Sequence, residues 1–561
     1  MKRNVLGLGA SLGLVACSSP VVKTTDAAYH SITGEGLAVH VAELASDAYE
    51  GRAPGTPGEN KTIAYLTAAF ADAGAEPGLT DSYLQPVPLK EVKRTDMGFY
   101  LQKDGVETRF QPMAEYVSFT GDGRTNASVE QAQVVFVGYG IHAPEQGWDD
   151  YQGIDVEGAV VLVMRGEPSR EGDDSFFMGR DLTPHYHQDS KAEQAARRGA
   201  VGMILIHTQA SAGWPWTLLQ SGGAGAGQAF IDTTATTAKP QISIQLSEPA
   251  TRKLLEHAGL DYDELTQAAN SAPAGGTRRL ELTVSSFFTG EERRFSSPNV
   301  IARIAGRSRS DECVIYTAHW DHVGTNPIMA EDPIFNGAVD NATGTAALIE
   351  LAAAYAALPQ APERSVLFMA TTAEEKGLLG AEYYADHPLC APEKTVGVLN
   401  MDSHFPFGSF KALTVPGYGF SGLQAYFERA SARIGRTVQP DSNPEVGGYY
   451  RNDAYPFAKR GIPAIYAVGS PLDEELTEGS EILNKYIDFV TTKYHKPKDE
   501  YDPEAWDMTG IEEDVRIFFD AGLELANSSD FPNWRADLSY RALRDDMMAR
   551  GRASSAASGQ N

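Results

Sequence analysis

"CVIYTAHWDH" (residues 313–322) and "SVLFMATTAEE" (365–375) decide the fold. Each is an unbroken apolar run that ends abruptly in imidazole or carboxylate. A strand with one wet face alternates apolar and polar residues. An unbroken run is what a strand covered on both faces looks like, as in the parallel core of an α/β sheet. "NVIARIAG" (299–306), "TVGVLNMD" (395–402) and "GIPAIYAVG" (461–469) read the same way. Helical patterns lie between them, notably "TGTAALIELAAAYAAL" (343–358). The alternation over 299–525 predicts a mixed α/β architecture, a largely parallel twisted sheet flanked by helices.

In open sheets of this kind, sites lie beyond the carboxyl ends of the strands. The residues delivered there are His319, Asp321 and His322, then Asp340 ahead of a helix, then Glu374 and Glu375. Asp402 follows, with Ser403 and His404, and finally His495 in a Pro-containing loop. Any one of these has an ordinary reading; Asp340 could cap the helix that starts at 343. Together they are harder to dismiss, because buried negative charge needs a balancing cation. Two imidazoles (His319, His495) and three carboxylates (Asp340, Glu375, Asp402) suit zinc or another first-row divalent ion. With one carboxylate shared, they suit two ions about 3.5–4 Å apart.

The order His-x-Asp, Asp, Glu-Glu, Asp, His over most of 299–500 resembles the di-zinc metallopeptidases of clan MH, family twenty-eight. That family includes aminopeptidases and glutamate carboxypeptidase II. "ASDAYEGRAPGTPGENKTIAYL" (45–66) is similar to the family's segment before its protease-associated (PA) insert. The resemblance implies the zinc-exopeptidase fold with an inserted β-rich PA domain, two Zn2+ ions and peptide substrates. It implies that His319 and Asp402 hold one zinc, Glu375 and His495 the other, and that Asp340 bridges them. Asp321 would accept the second ring N–H of His319, and Glu374 would be the general base. "GGYYRNDAYPFAKRGIPAIYA" (447–467) departs from the family pattern, with Asn452 and Ala454 where serine and histidine are usual. Tyr449, Tyr450, Arg451 and Asp453 there are candidate substrate-binding residues; aromatic packing is the competing reading for the tyrosines. His322 and His404 read as loop residues beside the ligands, and His185 and His187 as a solvated loop.

Aminopeptidase activity is the expectation. A glutamate-carboxypeptidase-like activity would need basic residues for a C-terminal carboxylate, with Arg451 the candidate. A non-catalytic receptor on the same fold would be free to lose ligands, and none is lost here.

The remaining chain divides into an N-terminal part of the peptidase domain (31–125), the PA insert (126–288), the main peptidase domain (289–549) and a disordered tail (550–561). Within the insert, "AQVVFVGYGI" (132–141), "GAVVLVMRG" (158–166), "VGMILIHT" (201–208) and "PQISIQL" (240–246) read as strands around one helix at 189–200. In the N-terminal part a helix is predicted over 59–73, after a Gly/Pro-rich turn.

A chain of 561 residues needs two or more domains. Its balance of 47 basic against 75 acidic residues, net −28, argues against nucleic acid as a partner. Residues 1–17 carry Lys2 and Arg3, then an apolar stretch from Val5 to Ala16, then Cys17. The stretch is shorter than the roughly 20 residues that span a bilayer. "LVAC" resembles the lipobox of bacterial lipoproteins, which implies export, lipidation at Cys17 and a tether over 18–30. Ser18 rather than Asp implies the outer membrane, facing the periplasm or cell surface, and membrane contact through the anchor only. Of the other cysteines, Cys313 and Cys390 are expected to be free buried thiols.

Overall fold

A computed structural model describes residues 24–558, apart from 171, 174, 218, 220–226, 234–237, 328 and 330. The expected signal segment and Cys17 lie outside the described residues.

One 14-stranded sheet runs through the molecule. Its first block holds four parallel strands in the order Ala464–Tyr466, Thr395–Asn400, Arg309–His319 and Arg364–Thr371. Every residue of the strands Thr395–Asn400 and Arg364–Thr371 is buried, which is why the sequence shows no alternation. A second parallel block holds Asn126–Phe136, Val160–Met164, Gly202–His207 and Ile242–Ser247. The long strand Arg278–Ile304 joins the two, antiparallel to Arg364–Thr371 on one side and to Asn126–Phe136 on the other. A division at 288–289 therefore falls inside one strand. Leu84–Lys103 pairs with that strand along most of its length, so the ribbon between the blocks is two strands wide.

Helices Thr343–Ala356 and Thr509–Asn527 cover the first block. Pro57–Asp72 is the helix expected over 59–73. Thr56 caps it by accepting from the Glu59 N–H, and Pro57 sits in the first turn, where its missing N–H costs nothing.

Three expectations change. Cys313 and Cys390 form a disulfide rather than two free thiols. Cys313 pairs in register with Thr395, so sheet formation brings the nearby Cys390 against it. Part of the expected tether is a helix, Thr25–Ser31, with Ala28 buried. Residues 550–558 of the expected tail continue the helix Ser539–Ser558, and 559–561 lie outside the described residues. No described helix is long and apolar enough to cross a membrane.

Candidate metal centre

The carboxyl edge of the first block gathers the predicted residues. His319 ends its strand and is 2% exposed. Its Nδ1 lies 3.0 Å from the Asp321 main-chain carbonyl, which can only accept, so Nδ1 carries the proton. Nε2 is thereby turned to the carboxylates. It lies 3.2 Å from Asp340 Oδ1 and 3.4 Å from Asp402 Oδ1. Asp340 does not cap the following helix; its second oxygen, Oδ2, lies 3.0 Å from His495 Nε2. The same His495 nitrogen is 3.2 Å from Glu375 Oε2. Asp340 thus faces two donor clusters, one oxygen to each.

The expected role of Asp321 changes. Its carboxylate is 3.9 Å from the His319 ring and instead accepts the Glu374 main-chain N–H at 3.0 Å. The tautomer of His319 is fixed by the peptide carbonyl of the same residue. His322, expected as a loop residue, is fully buried, and its Nδ1 approaches Glu375 Oε1 to 2.8 Å. The approach makes no hydrogen bond, so both atoms lack a partner. His322, Asp340 and Glu375 therefore form a donor group of their own, beside that of His319, Asp340 and Asp402. The two histidines of "HWDH" flank one aspartate, and that doubling was the available signal for His322.

Three buried carboxylate oxygens have no hydrogen-bond partner among the described residues: Asp321 Oδ2, Glu375 Oε1 and Asp453 Oδ1. All belong to this edge. Orphaned acceptors of this kind, with N and O donors converging and no thiolate, fit a divalent cation.

The neighbours Glu374 and Glu375 are driven apart. Burial lifts the Glu374 carboxyl well above the carboxylate range, and Asp402 and Glu375 add to the lift against the pull of His319. Glu375 is also buried, but His495 and His322 outweigh this and hold it below its ordinary value. Side chains of adjacent strand residues point opposite ways. Here Ala373, with φ 55°, turns the chain just before the pair. Ser403 (φ 55°) and His495 (φ 53°) adopt the same left-handed conformation, which costs a residue with a Cβ about 1–3 kcal/mol. Burial would lower His495, yet the carboxylates of Glu375 and Asp340 raise it to about 9. His319 is raised well above the usual range by Glu374 and Asp402 against its own burial. Both imidazoles thus register a surplus of negative charge.

The 447–455 segment divides. Tyr449 and Tyr450 are buried among Phe420, Tyr455, Tyr186 and Leu182, and the Tyr450 hydroxyl donates to Leu182 O. Packing, the competing reading for the tyrosines, accounts for where both rings lie. Asn452 is spent on its own turn, donating to Gly448 O. Asp453 does face the centre; it is 1% exposed and accepts from Thr371 Oγ1. Burial raises its pKa to about 6. Arg451 is exposed, and its charge is felt at Tyr494. His404 is buried against Asp514 at 2.8 Å, away from the donor groups. His185 pairs with Glu145, and His187 stacks near Tyr455, so neither forms a metal group.

Residues 299–517 match the model of peptidase family M28, and residues 126–246 that of the PA domain. A probable zinc metalloprotease of Pyricularia oryzae is 34% identical over 136 residues, 24% of this chain and 26% of that protein. A probable glutamate carboxypeptidase of Arabidopsis thaliana, AMP1, is 27% identical over 389 residues, 66% of this chain and 50% of that protein. The chain thus spans half or less of the length of these curated relatives. An aminopeptidase structure from Aneurinibacillus sp. strain AM-1 superposes with TM-score 0.51 over 92% of this chain and 99% of its own, at 16% identity, a likeness of fold. The chain joins a segment similar to peptidase family M28 to one similar to the PA domain.

Proposed function

We propose that this chain is a zinc-dependent exopeptidase, an aminopeptidase that removes N-terminal residues from peptides. The observation that carries the reading is the pair of donor clusters that share Asp340, with buried carboxylate oxygens around them left without a hydrogen bond. His319 and Asp402 would hold one zinc, Glu375 and His495 the other, with Asp340 common to both. When bound, zinc would polarise the scissile carbonyl and make the attacking water more acidic.

The chain's own residues handle the proton. The Glu374 carboxylate accepts it from the attacking water as the new C–O bond forms. It then gives the same proton to the nitrogen of the breaking C–N bond, so that the amine leaves neutral. A carboxyl lifted by burial is a stronger base than an exposed one, which suits this exchange. Asp321 holds the Glu374 main chain while it happens. Free carboxylate oxygens around the centre, Asp453 Oδ1 among them, favour a substrate's α-ammonium group over a carboxylate. The names of the relatives, a probable zinc metalloprotease and a probable glutamate carboxypeptidase, agree on peptidase chemistry, and the first names zinc.

A carboxypeptidase of the glutamate carboxypeptidase type is the second reading, favoured by Arg451 near Tyr494. A panel of free-amine and N-blocked chromogenic peptides, with and without a chelator, separates the two. Chelator-sensitive hydrolysis of free-amine substrates is the expected result. Activity confined to blocked peptides with a free C-terminal acid would overturn the aminopeptidase reading.

The protein is further proposed to be exported and anchored in the outer membrane through a lipid on Cys17. The n-region, apolar stretch and lipobox-like "LVAC" support this, and a disulfide is at home in an oxidising compartment. Labelled fatty acid should enter the wild-type protein and not Cys17→Ala; equal labelling of both would refute the anchor.

A further inference from the structure

Two buried charged side chains touch no proposed ligand side chain, yet grip the main chain around Asp340 from both sides. Arg52 comes from the N-terminal segment and is 1% exposed. It donates Nε to Trp320 O (2.9 Å), Nη1 to Leu44 O (2.7 Å) and Asn336 O (2.6 Å), and Nη2 to Gly337 O (2.8 Å). Every acceptor is a peptide carbonyl. Trp320 lies between His319 and Asp321, and Asn336 and Gly337 begin the turn that delivers Asp340. Asp499 reaches the same turn from the His495 loop and is also 1% exposed. Its Oδ1 accepts Val339 N–H (3.0 Å), its Oδ2 accepts Asp340 N–H (3.1 Å), and its carbonyl accepts Ala338 N–H (3.0 Å).

We propose that Arg52 and Asp499 are the positioning residues of the metal centre, a pair of clamps that fix the Asn336–Asp340 turn against the His319 strand end and the His495 loop. The inference rests on the metal reading above. A guanidinium held by carbonyls alone is costly to bury unless its charge is wanted. Here its field falls on Asp499, Asp340, Asp321 and Glu375, carboxylates that otherwise repel one another. The fit leaves no slack. A Cβ at Gly51 would meet Gly324 O and Phe335 O at 2.4 Å, and one at Gly337 would meet Asp340 O at 2.4 Å. Both glycines have positive φ, 65° and 59°, so the turn and the clamp are shaped together. The clamps also explain how a bridging carboxylate can serve two clusters whose other members come from four separate segments. Its main chain is tied to two of them by six hydrogen bonds, three through Arg52 to Trp320, Asn336 and Gly337 and three to Asp499.

Lysine at 52 offers three donors from one point and cannot reproduce the fork. Asparagine at 499 presents an NH2 group to one of the two N–H donors now satisfied. Arg364 supplies the control. It is a fully buried arginine that also donates to carbonyls, Leu525 O and Asp530 O, but at the other end of the strands. The experiment measures zinc affinity by competition with a chromophoric chelator, together with the melting temperature of the metal-free protein. Asp499→Asn and Arg52→Lys should weaken zinc binding roughly 10- to 100-fold, as loss of a partner behind a metal ligand does. Arg364→Lys should lower the melting temperature and leave zinc affinity at the wild-type value. If Arg52→Lys does not fold, Asp499→Asn decides. Wild-type affinity in the folded variants overturns the clamp alone. A wild-type protein that binds no zinc overturns the metal reading and the clamp with it.

Discussion

The two parallel blocks of the sheet bury charge in different ways. In the PA-like half, Asp150, Glu167 and Lys191 are all buried, and each finds partners within the chain. Lys191 donates to Tyr139 O and Gly166 O, Asp150 accepts from Ile141 N–H and the Trp148 indole, and Glu167 accepts twice from Thr183. The peptidase-like half gathers Asp321, Asp340, Glu375 and Asp453 around three imidazoles, His319, His322 and His495, and three of the carboxylate oxygens are left without a hydrogen bond. Buried charge by itself does not mark a metal site, since one half carries it without needing an ion. A surplus of one sign, with acceptors left without a hydrogen bond, does.

Exchanging a donor on the surplus side should have the largest effect. Glu375→Gln removes one charged oxygen from the second cluster. The bound zinc should fall from two equivalents toward one by elemental analysis. The affinity loss should exceed the roughly 10- to 100-fold found for changes merely behind a ligand. Two tightly held equivalents in this variant would break the distinction between the halves.

Lys191→Met tests the balanced side. It leaves Tyr139 O and Gly166 O without their donor and removes the charge whose field falls on Glu167 and Asp150. A buried polar group left unsatisfied costs about 1–3 kcal/mol. Denaturant unfolding should show that loss while zinc content stays unchanged. Zinc loss without destabilisation would show that the halves are not independent.

A smaller effect is expected from His207, buried in the PA-like half beside Trp214 and Trp216. Burial, with Arg165 nearby, lowers its pKa to about 4. The unfolded chain takes up this proton near pH 6.5 and the folded chain only near 4, so its contribution to stability is present above 6.5 and lost as pH falls from there toward 4. His207→Gln should flatten that part of the melting-temperature profile. An unchanged profile would remove His207 as the cause.

The sheet and most of the centre were legible because both depend on short-range pattern. Strands such as Arg364–Thr371 are buried on both faces, so their sequence is continuously apolar and their ends are conspicuous. His319, Glu375 and Asp402 follow such ends, Asp340 opens the next helix, His495 lies in a loop, and the five converge. What escaped depends on contacts between distant segments. Cys390 meets Cys313 only through the register of neighbouring strands. Tyr450 is aromatic beside a site, and nothing local says that its hydroxyl turns to Leu182. Asp321 holds a peptide N–H rather than an imidazole because Ala373 bends the chain toward it. Arg52 works through carbonyls, which carry no residue identity and so leave no motif.

The division of labour between Glu374 and Glu375 is the centre of the account, and Glu374→Gln tests it most directly. Zinc content and kcat are measured on one preparation, with the free-amine peptide found best for the wild type. Two equivalents of zinc, wild-type stability and a kcat reduced by about 10²–10⁴-fold are predicted, the loss expected when a general base is removed. Wild-type kcat with both metals bound would contradict the account.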